Sequence, residues 1–560
     1  MMMRRLLLRS FALRAVGLAL IAGALASCGT PQASTPDGRR PAPPRLVVFM
    51  VVDGLPQRQV VDYRSQLAPD GLARFLDRGA WLSDAHYGYA FTVTAAGHAS
   101  MLTGTYAWRH GIIGNDWRDA QTGELEYCTG DTRYSYIGNS TDKLDGTSPK
   151  NLMVETVGDV LKRRNPGAKV IGISGKDRGA ILPAGKTGVA YMYMSKSGQF
   201  ASSTFYMPQH PAWVNTFNAG KPADRYFRQD WRPVRDNAAY ASSLPDEQPW
   251  FLAKGGKLPM TMGAAQDKPD GAYYAALLRS PFVDELSLEF ARAAIRGEAL
   301  GQDDVPDILA ISLSGHDYVN HAFSAESRLS HDHLLQLDRM FQAFFKDLDT
   351  MVGKDNYVAV LTADHGFMPA PETSLAAGRN AGRVSGSAVL SRINAGLQQK
   401  FGPGNWARYF TASALALDHQ LIAERKVDRL AVQDEARALL LKEEAFAAVY
   451  TRDELAGNTR AGAPLFDQMR KSWNAERSGD LQVALKPYWM FGSSTSTTTH
   501  GSPHPYDTNV PILFYGPRWV KAGRYSERAE VSGIAPTIAA LLQVPPPSAS
   551  EGRLLPLLAP

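Results

Sequence analysis

Five continuous apolar runs of strand length, RLVVFMVV, AKVIGIS, DILAISL, YVAVLT and VPILFYG, are spread from residue 45 to residue 516. None alternates apolar with polar positions. That is the mark of strands covered on both faces, as in a parallel sheet between helical layers. Helical segments lie between them, as in SRLSHDHLLQLDRMFQAFFKDLDTMV. The pattern predicts an α/β fold with a mostly parallel central sheet, one three-layer sandwich over 45–560 carrying long inserted subdomains at about 185–300 and 370–490. Length alone suggests three or four domains. The spread of the strands over the whole chain overrides that count, and no internal repeat breaks it up.

The first residues, MMMRRLLLRSFALRAVGLALIAGALASC, join a basic start (Arg4, Arg5, Arg9, Arg14) to a short apolar core and small residues. This predicts an export signal over 1–27, because the uncharged run from Ala15 to Ser27 is too short to span a bilayer. Leu25-Ala26-Ser27-Cys28 resembles a lipobox, so Cys28 is expected to carry lipid, and the Pro-rich stretch 28–44 to act as a tether. Loss of the leader removes four arginines and takes the formal net charge from +5 to +1. The charge balance therefore gives no case for a nucleic-acid-binding surface, and the expected membrane contact is the lipid anchor alone, in the periplasm or at an outer membrane. Cys128 is then the one other cysteine. An exported chain of this kind must be stable without disulfides, through a large core or bound metal.

Three of the apolar runs end in acids: Asp53 closes VVFMVVDG, Asp317 follows ILAISLSGH, and Asp364 with His365 follows VAVLTADHG. Sites in open α/β sheets form at the carboxyl ends of strands, so these acids converge despite their separation in sequence. In DYVNH, Asp317 and His321 are spaced i and i+4, on one face of a helix that starts near Asp317, and can grip one ion from adjacent turns. His500 comes from a Thr/Ser-rich loop just before the last strand. Carboxylates and imidazoles without cysteine suit zinc, and two-metal sites serve in-line displacement.

The segment FTVTAAGHAS, residues 91–100, places Thr94 where an extended stretch meets a helix. Its plain role is a helix cap whose oxygen accepts a backbone N–H. Its chemical role is a nucleophile, the hydroxyl made acidic by a metal and set where helix N–H groups receive an anion. Thr92, on the same face of an extended segment, is the rival.

Together VVDG, TAAGHASMLTGTYAWRHGIIGNDW, SGKDRGA, SGHDYVNH, TADHG and THGSP…YDTNVPILFYG resemble the alkaline phosphatase superfamily, and more closely its PafA/PhoK-like bacterial alkaline phosphatases. The resemblance runs in order from about Leu46 to Pro556 and implies an alkaline-phosphatase-like sandwich. By it, Asp317, His321 and His500 would bind one Zn2+ and Asp53, Asp364 and His365 a second, with Thr94 as nucleophile and metal-touching residue. Asn115 in GIIGNDW would bind a phosphoryl oxygen. Lys176 and Arg178 in SGKDRGA match the Lys-x-Arg pair of the monoesterase branch, two cations for the extra charge of a terminal phosphate. Where the family pattern often has Gly-Pro before Gly-His, this chain has Ala95-Ala96. The implied activity is hydrolysis of a broad range of phosphate monoesters, phosphorylated small molecules, through a phosphothreonine intermediate.

The rival within the superfamily is a nucleotide pyrophosphatase/phosphodiesterase, which shares the ligands, threonine and asparagine but not Lys-x-Arg. A silent lipoprotein that only binds phosphorylated ligands is a third reading, set against an intact ligand set. His98, His316, His331, His333 and His504 are left outside the site, His504 because Pro503 and Pro505 oppose a helical pairing with His500. The aromatic stretches TFYMPQHPAWVNTF and DRYFRQDWRPV are read as packed loops.

Overall fold

Leu46–Val52 (β1) is buried at every position, and a computed structural model, which describes residues 41–252, 255–493 and 495–559, sets it in the middle of a nine-stranded sheet. The leader and Cys28 lie outside the described residues. The other strands are Ala80–Leu82 (β2), Val170–Ser174 (β3), Val189–Met194 (β4), Gln199–Ala201 (β5), Asp307–Leu313 (β6), Tyr357–Thr362 (β7), Ile512–Tyr515 (β8) and Gly523–Tyr525 (β9). Their order is β9-β2-β8-β7-β1-β6-β3-β4-β5. The central five, β7-β1-β6-β3-β4, run parallel, and β8 and β5 pair antiparallel at either side. Four of the five apolar runs thus form the parallel centre. VPILFYG joins the sheet in the opposite direction as β8.

Strands buried on both faces need two covering layers. The helix Leu72–Arg78 packs on β8 and β2, Phe282–Gly297 packs on β6 and β3, and α2 (Asp177–Ala184) packs on β3, β4 and β6. Three further helices matter here: α1 (Thr94–Thr103), α3 (Gly315–Phe323) and α4 (Arg328–Leu348). Among the described residues no helix is long and apolar enough to cross a membrane.

The stretch 185–300 opens with β4 and β5, which extend the central sheet, so its irregular part follows them. Within 370–490 the strands Ala407–Thr411, Ala414–Leu417, Leu481–Leu485 and Phe446–Thr451 form a separate antiparallel sheet. Val389, Ile393, Trp406, Val432 and Val483 give it a core of its own. Cys128 is buried and unpaired, its thiol pushed up to about 12 by burial.

Candidate active site

The strand ends of β1, β6 and β7 bring their acids to one point. Asp53 continues the β1 ladder, its N–H donating to the Leu313 carbonyl at 3.0 Å. The chain then turns at Gly54, which has φ +72° and where a Cβ would sit 3.1 Å from Asp317 Oδ1 and from Phe367. Glycine is required there for both reasons. The Gly54 N–H donates to Asp364 Oδ1 at 3.0 Å, tying the β1 and β7 ends together. Asp317 and His321 sit one turn apart on α3, as their spacing predicts, with His321 Nε2 3.4 Å from Asp317 Oδ1. His365 Nε2 lies 3.5 Å from Asp53 Oδ1, 3.4 Å from Asp364 Oδ2 and 4.0 Å from Asp317 Oδ1. His500 Nε2 lies 3.7 Å from Asp317 Oδ1.

The three imidazoles share one arrangement. Nδ1–H donates to a backbone carbonyl in each: His365 to Gly366 at 2.9 Å, His500 to Thr92 at 2.7 Å, His321 to Thr498 at 3.1 Å. A carbonyl can only accept, so a proton is on Nδ1 and each ring turns Nε2 toward carboxylate oxygens. Both Asp53 oxygens, Asp317 Oδ1 and Asp364 Oδ2 are buried without a hydrogen bond. Lone pairs facing lone pairs in a dry cleft call for cations between them. Asp53, Asp364 and His365 gather as one candidate metal group, as the sequence suggests. The other compact group is Asp317, His500 and His365, with His321 at its more exposed edge.

One resident cation enters this cluster. Lys176 Nζ reaches Asp317 Oδ2 at 2.5 Å and Asp53 Oδ2 at 2.7 Å, the latter an ion pair whose angles make no hydrogen bond. Burial, reinforced by Asp317 and Asp364, drives the Asp53 carboxyl well above its ordinary range. For Asp317 burial pulls upward too, but Lys176, His321 and His500 outweigh it and hold the group ionised. Burial lowers His365 and His500, keeping both neutral as ligands must be. Three carboxylates with one ammonium leave a deficit of positive charge that divalent ions of a nitrogen and oxygen donor set, zinc among them, would fill.

Thr94 is the first residue of α1, after Val93 in an extended conformation, and its side chain caps nothing. The cap role is therefore vacant, and Asn115 fills part of it: its Oδ1 accepts the Ala95 N–H at 2.9 Å. Because that donor can bind only oxygen, the amide NH2 of Asn115 is the end left for a ligand. Thr94 Oγ1 stands 3.4 Å from His365 Nε2, inside the acid cluster. The hydroxyl of Thr92, the rival, is fully buried and donates to the Ser502 carbonyl at 3.0 Å. Arg178 Nη1 donates to Tyr127 Oη at 3.0 Å, and that phenol donates to Asp177 Oδ1 at 2.6 Å.

Sequence reasoning passed over two supports. His98, one helical turn after Thr94, bonds the Thr94 carbonyl at 2.8 Å and Ser312 Oγ at 2.8 Å, and lies 3.3 Å from Asp364 Oδ2. Its position in Gly-His, i+4 from the nucleophile candidate, was the available signal. Gly97 beside it lets α1 lie against Asp364, whose carbonyl would be 2.2 Å from a Cβ. Asp507 accepts the Ser502 N–H at 2.9 Å and the Ser502 hydroxyl at 2.6 Å, fixing the loop that carries His500. The remaining histidines stay outside: His316 bonds Gln59 and His333, His331 bonds Ser243, and His504 donates to the Leu485 carbonyl.

Burial pushes the Asp507 carboxyl up to about 8, against the pull of Ser502. A folded pKa above the ordinary value favours the protonated native state, so the stability this group contributes is full in acid and is lost as pH rises through about 8. The melting temperature of Asp507→Asn, which keeps the acceptor without the charge, should gain on the natural protein between about pH 4 and about pH 8. A gap that does not change with pH across thermal melts refutes this.

A model of the type I phosphodiesterase/nucleotide pyrophosphatase family matches residues 47–507. Alkaline phosphatase PafA of Elizabethkingia meningoseptica is 34% identical over 515 residues, covering 91% of this chain and 93% of that protein. Alkaline phosphatase PhoV of Synechococcus elongatus is 35% identical over 520 residues, 92% of each. The crystal structure of wild-type PafA superposes with a TM-score of 0.86 at 33% identity, covering 92% of this chain and 99% of that one.

Proposed function

Because the chain belongs to the type I phosphodiesterase/nucleotide pyrophosphatase family of the alkaline phosphatase superfamily, we propose that it is an alkaline phosphatase hydrolysing phosphate monoesters, with Thr94 as nucleophile. Two cations, Lys176 and Arg178, at the start of α2 beside the acid cluster carry the choice of monoester over diester. A terminal phosphate bears more negative charge than a diester, and each extra cation favours it. Full-length likeness to relatives named alkaline phosphatases supports the same choice.

In this reading Asp317, His321 and His500 would hold one Zn2+ and Asp53, Asp364 and His365 a second. Bound there, the ions supply Lewis acidity: they lower the pKa of coordinated hydroxyls and offset charge at phosphorus. Thr94 Oγ1 attacks phosphorus, forming a phosphothreonine as the alcohol leaves, and water then cleaves the P–O bond to regenerate the hydroxyl. The N-terminus of α1 faces the negative charge that Thr94 carries. Asn115 NH2, Lys176 and Arg178 orient the equatorial oxygens, where positioning and electrostatics dominate phosphoryl transfer. Neutral His365 and His500 and an ionised nucleophile agree with an alkaline optimum. Export and an acyl anchor at Cys28 belong to the same reading and rest on the leader's sequence.

Arg178→Ala is the discriminating experiment. It should lower kcat/KM for a phosphate monoester by about ten- to a thousandfold, and for a diester with the same leaving group by much less. Lys176→Ala should shift the ratio in the same direction but cost more on both substrates, since Asp53 and Asp317 lose their resident counter-charge. Equal losses on both substrates for Arg178→Ala would leave the phosphodiesterase reading in place.

A further inference from the structure

We infer that the cavity at the carboxyl ends of β3 and β4 is the leaving-group pocket and that it takes alcohols bearing a single ring. This rests on the monoesterase reading above. The cavity, about 190 Å3, has Lys176 and Arg178 in its wall, so it opens beside the cations assigned to the phosphoryl group. Tyr318 joins the two spaces. It follows Asp317 on α3, its ring lies 4.9 Å from Lys176 Nζ, and it lines the cavity. In this assignment a substrate whose phosphoryl oxygens meet Lys176 and Arg178 places its organic half next to Tyr318.

The lining defines the ligand class. Tyr136, Met194, Leu278 and Tyr318 present aromatic, thioether and aliphatic surface, which suits a ring face, beside the polar Asn139, Ser140, Asp145 and Ser195, which suit a hydroxyl-bearing substituent on it. The charges nearby are already engaged. Asp177 accepts from Tyr127 Oη and from the Gly146 N–H at 2.8 Å, Asp145 accepts the Asp142 N–H at 2.7 Å, and Lys196, at the exposed mouth, pairs with Asp142 at 2.6 Å. A second anionic group on the substrate would find no free partner deep in the cavity, whereas an uncharged ring would. The volume falls below the roughly 300–1,000 Å3 of sites that enclose drug-sized molecules, so one ring fills it and a polymer does not. A larger cavity of about 390 Å3, lined by Lys162, Val170, Val189 and Met207, lies at the opposite, amino ends of β3 and β4 and borders no proposed catalytic residue.

Two measurements on the full zinc-loaded protein test this. In the natural protein phenylphosphonate should bind about tenfold or more tightly than methylphosphonate by titration calorimetry, since a buried ring adds apolar contact that a methyl does not. In Met194→Trp, which fills the cavity, kcat/KM for phenyl phosphate should fall about tenfold relative to that for methyl phosphate. Equal phosphonate affinities overturn the inference without reference to any variant. So does a folded Met194→Trp protein in which both esters are lost in parallel or neither changes. If the natural protein hydrolyses neither ester, the monoesterase reading itself fails, a different result from turnover of both without discrimination.

Discussion

Thr94→Ala is expected to lose roughly four orders of magnitude or more in kcat, the scale on which removal of a nucleophile acts when the rest of a site is intact. The hydroxyl stands 3.4 Å from His365 Nε2 and caps nothing, so its removal costs the fold little. Thr94→Ser keeps the oxygen and should retain measurable turnover. Acid-quenched natural enzyme should carry a phosphoryl group on the peptide that contains residue 94, seen by mass spectrometry, and Thr94→Ala should not. Thr92→Ala supplies the contrast. Its hydroxyl holds the Ser502 carbonyl, so that variant should loosen the His500 loop and lose metal affinity, yet still form the phosphorylated peptide. Phosphate on residue 92, or turnover surviving in Thr94→Ala, would reject Thr94 as the nucleophile.

Chelation is expected to abolish activity, and Zn2+ to restore it, with two ions per chain by elemental analysis. The same treatment should lower thermal stability, because ions that bind only the native state stabilise it by RT ln(1 + [L]/Kd), about 4 kcal/mol when the free ion stands a thousandfold above Kd. Lys176 bounds the effect from below. It already sits on Asp53 and Asp317, so the ion-free protein should stay folded rather than collapse. In Lys176→Ala the chelated protein should be far less stable than the chelated natural protein, a double comparison that isolates the ammonium. His500→Ala should empty the group centred on Asp317 and leave one ion. Full turnover after exhaustive chelation would overturn the metal reading, and two retained ions in His500→Ala would overturn this ligand assignment.

Much of the frame was legible because parallel strands buried on both faces cannot hide their composition. After Arg45 the run LVVFMVV has no polar position to disguise it, and β1 is buried throughout. The i, i+4 pair Asp317 and His321 was equally plain, since helical spacing fixes which side chains share a face. Other features were out of reach. The opposite direction of β8 depends on the path of the connection before it, which strand composition does not record. Sequence could place Lys176 near the phosphoryl group but not on Asp53 and Asp317, a contact between strand ends more than a hundred residues apart. That the Ser502 carbonyl takes the Thr92 hydroxyl, which tells against the rival, was likewise out of reach of the sequence. His98 looked like a packed core residue, and it is buried; its work is to brace Asp364 from behind.

The proposed ligand atoms come from positions 53, 317, 321, 364, 365 and 500, nearly the whole length of the folded chain. No early fragment of the polypeptide contains the pair Asp317 and His500, and Asp53 meets Asp364 only after β7 has docked beside β1. In this assignment, capture of the ion at Asp317 would be a closing event in the life of the newly made molecule, because its last ligand lies at residue 500. A chain that stalls or is clipped before residue 500 would lack one of that ion's proposed ligands and be left without the metal that completes the fold.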